Sequence, residues 1–394
     1  MSASNSIFEC AFVDTPQTLQ PKKTRRWPKR LKRLLKGRSA PGSPSLLRLS
    51  VRFFAAVLGF ALVGYLVFRT GPGMVWKQLR EVGWGFALII LLGGLAQFAK
   101  TCAWRQAFTC DITRLSWSRS FVAQLISDGA GQFGVAGKVL GEAMRISLVR
   151  RAVPVTNALS AGAIDGGLHS LTAVLITVAG ITATLMLAPL PGVWRTYAWI
   201  LIAVLVSVVI LAGVGIAHRW TLVGDATRAL ARLPRLHNWV TGKQPIIDSA
   251  EHNLLTFHQD APNAFWVTLL FNLLWHALAI LEVYIILRFM GASIALGGAF
   301  VVEGLTKVIN LVGAVNPGNF GTYEAGNMLI TKIFGVTGTA GLTLALCRRA
   351  RTFFWAGIGA IGIALMNRKQ QNRGQSRRDR EMIASPMGGD SVTG

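Results

Sequence analysis

Long apolar runs alternate with short basic stretches along this chain. The runs are Val51 to Phe68, Trp84 to Ala103, Val155 to Thr182, Trp199 to His218, Ala264 to Phe289 and a last one that reaches Met366. A helix needs about 20 apolar residues to cross a hydrocarbon layer roughly 30 Å thick, so the pattern predicts six full crossings. Phe121 to Ala136 breaks it. This stretch is apolar but short, and it contains Gln124, Asp128, Gln132 and several glycines. Arg105, Arg114 and Arg119 precede it, while Lys138, Arg145, Arg150 and Arg151 follow. Basic residues on both sides place both ends on one membrane face, which suits a re-entrant segment better than a crossing. A second irregular element comprises Ile294 to Ala314 and Phe320 to Phe334. The expected fold is therefore an all-α polytopic membrane helix bundle, with about six crossings and two broken or re-entrant elements opening from opposite faces.

The second element is divided by the turn Val315-Asn316-Pro317-Gly318-Asn319-Phe320-Gly321-Thr322-Tyr323-Glu324-Ala325-Gly326. Unpaired backbone N–H and C=O groups are not tolerated beside lipid, so such a break needs protein or a polar cavity around it. Discontinuous helices of this kind often carry the substrate and ion sites of transporters. Asn316, Pro317, Gly318 and Gly321 are the candidate turn residues. Gly137-Lys138-Val139-Leu140-Gly141-Glu142-Ala143 in the first irregular element is similar to Gly318-Asn319-Phe320-Gly321-Thr322-Tyr323-Glu324-Ala325 in the second. The likeness suggests an inverted repeat.

Composition agrees with a membrane protein. The chain has 394 residues, 52% of them hydrophobic and only 15% charged, with a mean hydropathy of +0.46. Its net charge of +24 lies mostly outside the apolar runs. Residues 22–38 form a dense basic stretch, and 368–380 repeat the theme. Basic flanks mark the cytoplasmic side and attract anionic lipid, so both termini are expected there and nucleic acid is not an expected partner. Three regions follow: a basic, largely disordered stretch at 1–50, a transmembrane domain at 51–366 and a basic polar tail at 367–394. Val51 to Phe68 reads as a retained signal-anchor helix, because its basic leader is too long for a signal peptide. The connection from Arg219 to Asn263 has apolar spacing at Leu230, Leu233, Leu236 and Trp239, which suits an interfacial helix. Four dispersed cysteines predict neither a metal site nor a disulfide framework. No catalytic motif is present and the loops are short, so an enzyme is not expected and no cofactor is implied.

Charges inside the apolar runs are the candidate functional groups. A charge at mid-bilayer costs about 2.5–3.5 kcal/mol on insertion scales and needs a partner or a purpose. Glu303 and Lys307 are spaced for a helical ion pair, with Asn310 on the same face. Internal neutralisation and a substrate-facing role are both open for them. Arg348, Arg349 and Arg351 interrupt the last helix without a nearby acid. Their partners must come from other helices, with Glu282, Asp165 and Glu324 as candidates, or from a phosphate, which a guanidinium fork matches. Arg351 is also spaced for a cation–π contact with Trp355. Asp165 and His169 are spaced for a hydrogen bond, and His276 reads as a satisfied bundle residue. Trp84, Trp104 and Trp199 lie near run ends as interfacial anchors.

These blocks resemble the flippase-like transmembrane family related to the lysylphosphatidylglycerol synthase membrane domain. Gly137 through Glu142-Ala143-Met144-Arg145 is similar to the family's Gly-rich, Glu-Ala-x-Arg motif, and Ala158 to His169 to its following helix. Leu281-Glu282-Val283-Tyr284 through Glu303-Gly304, Asn316-Pro317-Gly318, Gly321, Glu324 and Arg348-Arg349-Ala350-Arg351 resemble the hopanoid-biosynthesis-associated branch. Ala136 stands where the family usually has Pro, and Asp165-Gly166…His169 replaces a Glu-Arg…Asp pattern. The resemblance implies a bacterial inner-membrane protein that moves amphipathic lipids between leaflets; without the synthases' soluble transferase domain, lysine transfer is not implied. Lys307, Arg348, Arg349 and Arg351 would contact a headgroup, together with Arg145 of the first motif. Glu142, Glu282, Glu303 and Glu324 would balance charge and carry a coupling proton. Hopanoid, isoprenoid-linked and phospholipid substrates are open. The rival readings are a scaffold for envelope-lipid biosynthesis enzymes and a membrane-embedded headgroup transferase.

Overall fold

The computed structural model describes residues 68, 72–132, 134–187, 191–233, 237, 241–315 and 319–384. The basic N-terminal region 1–50, the predicted first crossing apart from Phe68, the turn residues Asn316, Pro317 and Gly318, and residues 385–394 of the tail lie outside these. The described residues form helices only, without a strand. They are α1 (Pro72–Val82), α2 (Gly85–Gln106), α3 (Trp117–Gly131), α4 (Gly134–Val149), α5 (Val155–Leu187) and α6 (Gly192–Ala217), followed by α7 (Leu222–Leu230) and α8 (Gln244–Asp260). Then come α9 (Pro262–Phe289), α10 (Leu296–Val312), a 3₁₀ turn (Gly313–Val315), α11 (Thr322–Ile333) and α12 (Gly338–Ala384).

Four of these, α2, α5, α6 and α9, are long and apolar enough to cross a membrane. They correspond to the second through fifth predicted runs. The last predicted run is the first part of α12, whose three arginines separate it from the other four. α12 continues past Met366 to Ala384, because its basic extension consists mainly of good helix formers and meets Pro386 only afterwards. The two irregular elements are pairs of short helices. α3 and α4 have 15 and 16 residues, and α10 and α11 have 17 and 12. The motif around Glu142, predicted as a basic cytoplasmic stretch, is thus helical and packs back on α3.

The packing is reciprocal. α2 lies against α9, while the first helix of each pair leans on the last long helix of the other half: α3 on α12, and α10 on α5. At the α5–α10 crossing a Cβ placed on Gly180 would lie 3.0 Å from the Gly304 Cα. Only a glycine on each side allows backbones that close, the small-residue contact that brings helices together in lipid. At the α3–α12 crossing a Cβ on Gly129 would lie 2.8 Å from that of Ala356. Each half thus braces the irregular element of the other.

Apolar burial divides between two clusters. One gathers Trp104, Leu115, Val149, Ala161, Ile164 and Phe257 from α2 through α8. The other gathers Ile89, Val283, Ile286, Ala299, Val302 and Leu344 from α2 and α9 through α12. α2 joins both, Ile89 and Trp104 being about 22 Å apart along a helix that rises 1.5 Å per residue. By contrast α6 buries only Gly215 and exposes apolar side chains nearly all round, as a lipid-facing helix does.

In the predicted interfacial region, α7 and α8 are joined by Glu251. Its carboxylate accepts the Val223 and Gly224 N–H groups at 2.7 and 2.8 Å, satisfying otherwise orphaned donors at the start of α7. Leu222, Val223, Leu230 and Leu233 remain exposed. Leu236 and Trp239 lie outside the described residues. Of the three predicted tryptophan anchors, Trp84 and Trp199 are exposed, but Trp104 is fully buried. Trp104 lies at a run end, but the chain folds back over it: the Arg145 guanidinium sits 4.4 Å from its ring centroid.

Candidate functional site

The two broken elements come together around a polar cavity of about 340 Å³. α3 and α4 contribute Asp128, Gln132 and Lys138; α10 and the turn after it contribute Glu303, Lys307, Asn310 and Asn319. Gln97 enters from α2, Glu282 from α9, and Arg348, Arg349 and Arg351 from α12. Six of the sequence-predicted groups therefore line it: Lys307, Arg348, Arg349, Arg351, Glu282 and Glu303.

Arg348 is held on every side. Its Nε donates to Glu282 Oε2 at 3.2 Å, and Nη2 donates to Glu303 Oε2 at 2.7 Å and to the Ala279 carbonyl at 2.9 Å. Nη1 reaches the Tyr323 hydroxyl at 3.4 Å. Arg351, three residues on and on the same face, donates to the same Glu282 oxygen at 3.1 Å. Lys307 donates to Glu303 Oε1 at 2.9 Å, the predicted i,i+4 pair. Three cations thus share two carboxylates, and one positive charge is left over. Glu282 Oε1 is buried without a hydrogen-bond partner. Of these cations Arg351 and Lys307 have the most exposed side chains, at 19% and 13%. Arg351 does not rest on Trp355 as its spacing suggested. Glu282 draws its guanidinium away, and the indole donates to the Ile90 carbonyl at 3.0 Å.

Arg349 has a different task. It pairs with Glu324, donates to the Asn319 carbonyl at 3.0 Å and lies 4.2 Å from the Phe320 ring centroid. Glu324 is fully buried and accepts the Gly321 N–H at 2.7 Å. Gly321 has φ +77°, a conformation that a side chain would strain. Arg349 and Glu324 consequently fasten the predicted turn to α12. Glu324 sits behind the cavity rather than on its wall, because the Gly321 N–H and the Arg349 guanidinium claim its two oxygens.

Glu142 and Arg145 also lie off the cavity wall. Arg145 is buried; it donates to Gln124 at 2.7 Å, pairs with Glu142 at 3.1 Å and approaches Asp165 to 3.7 Å. Asp165 does not bond His169. Its Oδ1 is taken by Lys100 Nζ at 3.0 Å and by Asn272 Nδ2 at 3.3 Å, while His169 turns to Asn272 Oδ1 at 3.2 Å. His276 is satisfied at one nitrogen only: Nε2 meets the Thr172 hydroxyl at 3.1 Å, Nδ1 is buried without a hydrogen-bond partner, and the ring stacks on His169 with centroids 4.8 Å apart. Lys100 and Gln97 were missed in the sequence. A lone lysine inside an apolar run is the signal that could have found Lys100; a glutamine there is weaker.

Residues 52–360 match the family model described as the lysylphosphatidylglycerol synthase TM region. The chain belongs to this family. The match runs from the predicted first crossing into α12 and takes in both broken elements and the cavity between them. It makes the chain a multi-pass membrane protein of a family connected with lipid handling. The curated proteins and the solved structures yield no match.

Proposed function

We propose that this family member translocates an amphipathic envelope lipid between membrane leaflets, with the headgroup passing through the cavity and the tails left in the bilayer. The observation that carries the reading is a cavity rimmed by both irregular elements and holding one more cation than carboxylate in its α12 cluster. Arg351 and Lys307, the more accessible cations, meet the headgroup's electronegative oxygens. Arg348 is already saturated, and it holds Glu282 and Glu303 in place. Arg349 and Glu324 keep the turn rigid. No step requires bond-making chemistry or a cofactor. The substrate is a phospholipid, isoprenoid-linked lipid or hopanoid, the last following from likeness to the hopanoid-associated branch.

In this reading the protein lies in a bacterial inner membrane with both termini in the cytoplasm, their basic tails on anionic lipid. Reporter fusions after residues 20 and 375 are expected to register cytoplasm together; one terminus outside removes the six-crossing arrangement. The functional test is leaflet exchange of fluorescent lipids of several classes in vesicles containing the purified protein. Exchange above empty vesicles supports translocation. Binding without exchange, or specific recovery of lipid-biosynthesis enzymes without either, favours a scaffold; a chemically altered headgroup favours a transferase.

A further inference from the structure

Asp128 differs from every acid that the sequence marked as a candidate. Glu282, Glu303 and Glu324 are tied to arginines, Asp165 to Lys100, and Glu142 to Arg145. Among the described residues Asp128 belongs to no ion pair, although it lines the same cavity. Its Oδ2 accepts a 2.6 Å hydrogen bond from Gln97 Nε2, and its Oδ1 takes part in no described hydrogen bond. Protonating any of the glutamates removes one half of an ion pair. Protonating Asp128 removes none.

Gln97 can serve both forms of this acid. Its Nε2 donates to the carboxylate as found, while its Oε1 is buried without a partner. A half-turn of the amide presents that acceptor to a carboxylic O–H, since the two ends of a primary amide have opposite hydrogen-bonding character. The surrounding charges are held elsewhere. On α2, Lys100 is bound to Asp165; on α4, Arg145 is bound to Glu142, and Lys138 is exposed; on α12, Arg351 is bound to Glu282, Arg348 to Glu282 and Glu303, and Arg349 to Glu324. These are the elements on which α3 packs.

We infer that Asp128 is a proton-binding site that sets the cavity's affinity for an anionic headgroup. A proton added at Oδ1 turns the carboxylate into the neutral acid, and no other bond changes. The cavity lining carries five lysine and arginine side chains against three carboxylates, and Glu324 neutralises Arg349 from behind the wall, so an excess of one positive charge becomes two. Anionic headgroups then bind more tightly as pH falls and are released as it rises. The inference deepens the translocation reading, for it supplies that site with a coupling ion.

The test compares the full chain with Asp128→Asn, which preserves shape and can still accept from Gln97. Fluorescent phosphatidylglycerol binding in detergent is measured from mildly acidic to mildly alkaline buffer. Wild type is expected to bind about tenfold more tightly at the acidic end, the effect of one charge roughly 10 Å away at an effective dielectric near 20. Asp128→Asn is expected to show a flat profile. Infrared pH-difference spectra in nanodiscs should contain a protonated-carboxyl band that Asp128→Asn loses and Glu142→Gln keeps. A band that survives in Asp128→Asn, a flat wild-type binding profile, or affinity that follows sodium instead of pH overturns the inference. Both signatures without leaflet exchange would uphold the proton site and reject translocation.

Discussion

The two halves of the bundle handle buried charge differently. In the second half, Arg348, Arg351 and Lys307 crowd around Glu282 and Glu303, and every carboxylate is claimed by a cation. In the first, Lys100, Arg145, Asp165 and Glu142 neutralise one another away from the cavity wall, leaving Asp128 facing it with only an amide partner. The comparison separates two uses of charge in lipid. A locked network fixes helices at the expense of desolvation, and removing one member strands the rest. An unlocked carboxylate contributes little to that fixing and is free to change its protonation.

The hardest blow to this contrast comes at Glu282. Glu282→Gln leaves Arg348 and Arg351 sharing fewer negative charges in a buried site, and we expect a stability loss of about 3–5 kcal/mol, read by thermal unfolding in detergent. Glu282→Gln combined with Arg351→Gln should recover part of it. A double variant no better than the single one would show that the network is not electrostatically coupled.

Lys100→Met should cost less, about 2–3 kcal/mol, because Asp165 keeps Asn272 and the more distant Arg145. A cost equal to that at Glu282 would erase the difference in connectivity between the halves. The turn comes next. Gly321→Leu must place a side chain at φ +77°, for about 1–3 kcal/mol, whereas a Cβ at Gly357 meets nothing within 4 Å. Matched expression and equal activity of Gly321→Leu and Gly357→Leu would mean that the turn's geometry is not special. The smallest effect sharpens the comparison most: Asp128→Asn should shift stability by less than about 1 kcal/mol, since no ion pair is broken. A large loss in the same unfolding assay would place Asp128 in a structural network after all.

Several of these groups were legible in the chain. The Glu303–Lys307 spacing, the need of three arginines for distant acids, and the Gly321–Glu324 turn could all be read from one sequence. Arg145 and Trp104 could not. A tryptophan near the end of an apolar run has the same pattern whether it faces a membrane border or folds inward, and only Arg145, brought over its ring from α4 and held by Gln124, Glu142 and Asp165, covers it. Asp128 was visible as a polar residue in a short apolar stretch, but its lack of a cation is a fact about its surroundings. The Asp165–His169 spacing misled for the complementary reason: it allows contact on one helix, but Lys100 and Asn272 from other helices compete for the same oxygen and win.

The chain by itself determined an all-α membrane bundle, because apolar runs of crossing length leave the backbone no other way to satisfy its polar groups. It also determined where the bundle breaks, since Gly, Pro and charged residues cannot continue a lipid-facing helix. The tertiary structure alone decided which charge meets which. Arg348 finds Glu282 across 66 residues, and Lys100 finds Asp165 across 65. Such pairings depend on how helices cross, through contacts like Gly180 against Gly304, and a one-dimensional periodicity holds no record of crossing.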